Sequence, residues 1–140
     1  MLSRGVIAAG TVTMICGALA CVPPNAVNEE ALAPARSVGP VVECDSGCKP
    51  EWERAQVWLA KHSNMKIQTA TDLMIQTYTS VDGSSFLDYT VVKEPMVAGR
   101  YRITVMTHCA SMFGCATNED DTRSILLYYV KTGTDLYSSL

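Results

Sequence analysis

The chain has 140 residues, six of them cysteine, with 48% hydrophobic and 18% charged residues and a formal net charge of −3. That length suits one domain and is too short for two sizeable cores. The charge balance excludes a nucleic-acid binder that works through a clustered basic surplus, and the apolar content excludes an acidic disordered chain.

The chain opens on Met-Leu-Ser-Arg, followed by an apolar stretch over residues 5–19 and then Ala20. One positive charge, Arg4, ahead of an apolar core and small residues is the three-part plan of a secretory signal. The core is shorter than the roughly 20 apolar residues a membrane-spanning helix needs. Gly10, Thr11, Thr13 and Gly17 weaken it further as a permanent anchor. Ala18-Leu19-Ala20-Cys21 resembles the lipobox of bacterial lipoproteins, in which small or apolar residues precede a Cys that is diacylated and becomes the new N-terminus. The resemblance implies a lipid on Cys21 and a tie to the membrane through it. With Val22 rather than Asp after the Cys, it also implies sorting to the periplasmic face of the outer membrane. Ala18-x-Ala20 is equally an ordinary secretory cleavage site, so a soluble secreted or periplasmic product is the alternative, and an uncleaved anchor a third.

Cys16 leaves with such a signal and Cys21 is spent on the lipid, which leaves Cys44, Cys48, Cys109 and Cys115. An even remainder in an oxidising compartment fits two disulfides. Four cysteines allow three connectivities. The local one, Cys44 with Cys48 and Cys109 with Cys115, is favoured.

Residues 21–42 hold Pro23, Pro24, Pro34 and Pro40, no aromatic residue and no amphipathic period. They read as a lipidated Cys followed by a disordered tether, with a single extended strand laid on the domain as the alternative. Residues 1–20 are then the signal, and 43–140 a small disulfide-stabilised domain.

Within that domain Lys49-Pro50-Glu51-Trp52 opens a helix, because Pro suits the first turn and acidic residues suit the positive end of the dipole. Trp52, Ala55, Trp58, Leu59 and His62 share one face, and Ser63-Asn64 ends the element. The two tryptophans read as core anchors. Residues 66–70 and 73–79 are short strand candidates around Thr71-Asp72, or one long strand with a bulge there. Asp82-Gly83 marks a turn. Residues 86–93 and Tyr101–His108 are the clearest strands, the second alternating Tyr101, Ile103, Val105 and Thr107 against Arg102, Thr104, Met106 and His108.

Asn118-Glu119-Asp120-Asp121 supplies capping residues ahead of Ile125-Leu126-Leu127-Tyr128-Tyr129-Val130, and Gly133 follows. The caps favour a helix, whereas the β-branched and aromatic run favours a strand. The helix reading is adopted. The whole is an α+β domain: an N-terminal helix packed on a three- or four-stranded antiparallel sheet, with a C-terminal helix.

Two stretches invite chemistry. Cys44-Asp-Ser-Gly-Cys48 is a C-x3-C pair before a helix, where a thiol gains acidity. The spacing is similar to that of copper chaperones built on a thioredoxin fold, but the strand–helix alternation of that fold is missing, so a structural disulfide is the reading. In Met106-Thr-His108-Cys109-Ala-Ser-Met112-Phe-Gly-Cys115, the residues Met106, His108 and Met112 form a soft set of the kind copper(I) prefers. Oxidised cysteines cannot ligate as thiolates, and Met commonly fills gaps in small cores. No metal and no cofactor is expected.

The chain has no Gly-x-Ser-x-Gly, no phosphate-cradling loop and no His-Glu-x-x-His. Glu119-Asp120-Asp121 lacks the ligand spacing of a calcium loop and reads as a helix cap. Neither histidine has an evident carboxylate partner in the sequence, and no catalytic residue is assigned. From Cys44 to Gly133, with Trp52, Trp58, the 67–77 run and Phe113-Gly114-Cys115, the chain resembles small envelope lipoproteins of Gram-negative bacteria, a likeness that implies a location and no activity. The expected function is a membrane-anchored periplasmic lipoprotein with a small binding or structural domain, whose partner is an envelope protein, a cell-wall component or a small ligand, with no role for nucleic acid. The alternative is a copper-type metal-binding or thiol-redox periplasmic protein.

Overall fold

Strand alternation and helix faces converge on a single apolar layer in the computed structural model, which describes residues 29–137. The elements in chain order are α1 (Glu29–Arg36), β1 (Val41–Cys44), α2 (Lys49–His62), β2 (Ile67–Ala70), β3 (Met74–Thr77), β4 (Asp88–Pro95), β5 (Tyr101–His108) and α3 (Glu119–Thr132). Among the described residues the strands form a five-stranded antiparallel sheet in the order β1-β5-β4-β3-β2. The α+β class holds.

One face of the sheet buries Val42, Ile75, Tyr89, Val91, Ile103 and Val105. Against it lie Trp52, Ala55, Trp58 and Leu59 of α2, and Ile125, Leu126, Leu127 and Val130 of α3. The opposite face stays part-exposed. There Thr104 pairs with Val41 on one side and Val92 on the other, and Arg102 sits between Glu43 and Glu94.

The competition between helix and strand over residues 125–130 is decided at the ends of the element. The Asn118 side-chain oxygen accepts from the Asp121 N–H at 3.0 Å. Gly133 takes a left-handed φ of 77° and donates its N–H to Tyr129 at 2.7 Å. Arg54 of α2 then donates to the carbonyls of Val130 and Lys131 at 3.0 and 3.1 Å, so one guanidinium caps α3 and ties the two helices.

Two expectations need correction, the tether and the strand count. Residues 29–36, read as tether, form α1, in which Leu32 and Ala35 are wholly buried and which packs on α3. Residues 41–44 are a sheet strand, β1, paired with β5 from Val41↔Thr104 to Cys44↔Tyr101. The domain therefore begins before residue 43, and the sheet has five strands rather than three or four. The stretch around Thr71 holds the two short strands the sequence offers first, paired as a hairpin, and not the alternative of one bulged strand. The Thr71 hydroxyl oxygen accepts from the N–H groups of Leu73 and Met74, a side-chain turn that reverses the chain between β2 and β3. The lipobox, Cys16 and Cys21 lie outside the described residues.

Candidate functional site

Because β4 and β5 run antiparallel with Asp88 opposite His108, the chain entering β4 and the chain leaving β5 meet at one end of the sheet. Two backbone hydrogen bonds stitch these loops together: Gly83 N–H to Ala110 at 2.9 Å and Ala116 N–H to Ser85 at 2.7 Å. The disulfide between Cys109 and Cys115 closes the outer loop across a sequence separation of 6. Gly114, at φ 98°, makes the turn back.

A loop this short cannot fold its tip inward. Met112 is 95% exposed and Phe113 99%, while Val81 and Phe86 on the neighbouring loop are 74% and 47% exposed. Residues 109–117 carry no charged side chain. Exposed apolar side chains scattered singly need no explanation, but four on two stitched loops form an apolar end.

The structure joins Cys44 to Cys48 as well. Cys48 is buried against the core and takes a left-handed φ of 55°, so this bond fixes the turn that launches α2.

The soft-ligand candidates do not converge. Met106 and His108 share the open face of β5, with Met106 half exposed, and Met112 sits at the loop tip. Among the described His, Cys, Asp and Glu side chains, Cys109, Cys115 and Glu119 place ligand atoms within 4.8 Å of one another. Glu119 Oε1 lies 3.0 Å from Cys115 Sγ, at the start of α3. Both sulfurs are spent in the disulfide, so the oxidised group offers one carboxylate and no thiolate. An open hollow of about 560 Å³ adjoins it, lined by Cys115, Thr117, Asn118, Glu119 and Asp120.

Both histidines have carboxylate partners that sequence reasoning missed, because they lie 73 and 20 residues away. His62 Nε2 is 2.8 Å from Asp135 Oδ2, and His108 Nδ1 is 3.5 Å from Asp88 Oδ2. Ser80 joins the second pair, its N–H and hydroxyl both donating to that same Asp88 oxygen at 2.9 and 3.0 Å. Ser80 thus bonds the carboxylate and not the imidazole. The arrangement lacks the nucleophile-to-base contact that acyl transfer requires and instead pins residue 80 to the start of β4. The exposed tip also departs from the expectation that Met fills gaps in the core, because a C-x5-C loop is too short to return Met112 to it. That loop length was the available signal.

No family model matches the chain, and no curated protein or solved structure is significantly similar to it.

The disulfide under the tip has a measurable cost of removal. Closing so short a loop constrains the unfolded chain by about 2 kcal/mol in the chain-entropy account. The double variant Cys109→Ser/Cys115→Ser is expected to lose about that much stability in urea denaturation. An unchanged midpoint would show the loop to be held by its backbone hydrogen bonds alone.

Proposed function

We propose that the chain is a lipid-anchored envelope protein whose small α+β domain acts as a binding module. What carries the reading is the apolar end made by Met112 and Phe113 on a disulfide-closed loop, stitched to the loop of Val81 and Phe86. A rigid loop that holds large apolar side chains in water incurs little further entropy loss when they are buried against a partner. The secretory signal, the lipobox resemblance at Cys21 and the even cysteine remainder support the anchor. No helix among the described residues is long and apolar enough to cross a membrane, so the lipid is the attachment this reading relies on.

Intact-mass analysis of membrane-extracted protein is expected to give a mature chain that begins at Cys21 and carries lipid, with no free thiol after denaturation. A soluble species beginning at an unmodified Cys21 would overturn the anchor. A second reading, a thiol-redox or soft-metal site, is favoured by one observation: the closeness of Cys109, Cys115 and Glu119. Two or four free thiols in that same titration would favour it over the first.

A further inference from the structure

We infer that the Met112–Phe113 tip is a second membrane contact, which inserts into the interface of a zwitterionic bilayer and seats the domain on the membrane that holds its lipid. The inference rests on the reading of the chain as an anchored binding module and names the partner of that module's apolar end.

Shape is the first argument. Met112 and Phe113 protrude almost wholly exposed from a short closed loop, so they form a knob and not a receiving groove. A knob needs a concave or deformable partner, and the headgroup region of a bilayer deforms around an apolar side chain.

Charge is the second. Residues 109–117 are uncharged, so inserting the tip desolvates no ion. Close to it lie Asp82, on the stitched loop, and Glu119, just after it in the chain, which repel an anionic surface. The exposed His108 is paired with Asp88, and Arg123 with Asp120, which leaves little positive charge to attract one. A zwitterionic surface is the better match.

Reach is the third. The chain from Cys21 to Glu29 extends to roughly 28 Å at most. Helix α1 is 8 residues long, or about 12 Å. Its last residue, Arg36, bonds Asp121 in the first turn of α3, on the loop side of the domain. The tether therefore spans more than twice the length of α1 and can bring the lipid level with the tip, but it cannot hold the domain far from the surface.

The test places a reporter at the tip of the acylated mature chain. Trp52 and Trp58 are buried and lie out of reach of a lipid quencher. Phe113→Trp, reconstituted in vesicles of phosphatidylcholine brominated on the acyl chains, is expected to lose about half or more of its added emission, as insertion to acyl depth requires. Thr134→Trp, exposed beyond the C-terminal end of α3, is expected to lose none. A companion experiment uses the unacylated Cys21→Ser chain with a large excess of phosphatidylcholine vesicles. Met112→Ser/Phe113→Ser is expected to lower its partitioning about a hundredfold or more, the loss of two buried apolar side chains, and phosphatidylglycerol is expected to weaken it.

Quenching at residue 113 and not at 134, or the loss of partitioning in the double variant, supports the inference. Equal, unquenched emission at residues 113 and 134 together with partitioning that the double variant leaves unchanged would overturn it and leave the tip for an apolar pocket on a protein. If the wild-type mature chain carries no lipid, the anchor reading fails by itself, and the Cys21→Ser experiment still decides the tip.

Discussion

Replacing Trp58 with alanine is expected to destabilise the domain by about 3 kcal/mol, the lower end of the range for a buried Trp. Trp58 is 1% exposed, and its ring lies 5.2 Å from His62, 5.8 Å from Tyr89 and 5.7 Å from Tyr137. It thus joins α2 to β4 and to the segment after α3. Tyr89, held on the central strand of the sheet, cannot collapse fully into the space it leaves. The lower end applies because Trp58 Nε1 is buried with no hydrogen-bond partner among the described residues. That orphan donor carries a penalty of about 1–3 kcal/mol, which truncation relieves. Trp58→Phe, which keeps an aromatic ring and removes the donor, is therefore expected to lose under about 1.5 kcal/mol. Urea denaturation with both disulfides intact separates the two variants. A Trp58→Ala midpoint equal to wild type would place the ring at the surface. Trp52 is a different case: its Nε1 donates to the Thr71 carbonyl at 3.0 Å, so removing it leaves an acceptor behind.

Leu32→Ala is expected to cost about 2–5 kcal/mol, as for other fully buried leucines. The side chain is wholly inaccessible and belongs to α1, which contributes it and Ala35 to the surface shared with α3. If residues 29–36 were only a tether, this substitution would leave the urea midpoint unmoved, and that result would detach α1 from the domain. The exposed Ala33, on the same helix, is the control, since Ala33→Ser removes no buried contact.

The elements legible in the sequence were those whose local signals agree. In α2 the first-turn Pro50, the Trp-Ala-Trp-Leu face and the basic last turn all point one way, and in β5 the alternation does the same. Helix α3 was legible through its caps, which outweighed the strand preference of Ile125, Tyr128, Tyr129 and Val130. Where only tertiary contact decides, the sequence was mute. Pro34 and the prolines around it hid α1, whose single buried stripe of Leu32 and Ala35 is too short to show a period. Strand β1 has four residues, and its partner β5 begins 57 positions after Cys44, so no local pattern announces it. Burial hides the tyrosines in the same way. Desolvation first, and then Tyr137, push the Tyr89 hydroxyl far above the ordinary tyrosine range, and burial also raises Tyr137. Nothing in the residue order distinguishes these two from Tyr78, which is half exposed.

The packing of α1 on α3, with Leu136 completing the same core, sets when the domain can fold. No stretch at the front of the chain owns a finished core. Helix α1 waits for α3, strand β1 waits for β5, and His62 waits for Asp135. Until α3 docks, part of the apolar face that β4 and β5 present is uncovered, and the contacts that close it join distant parts of the chain.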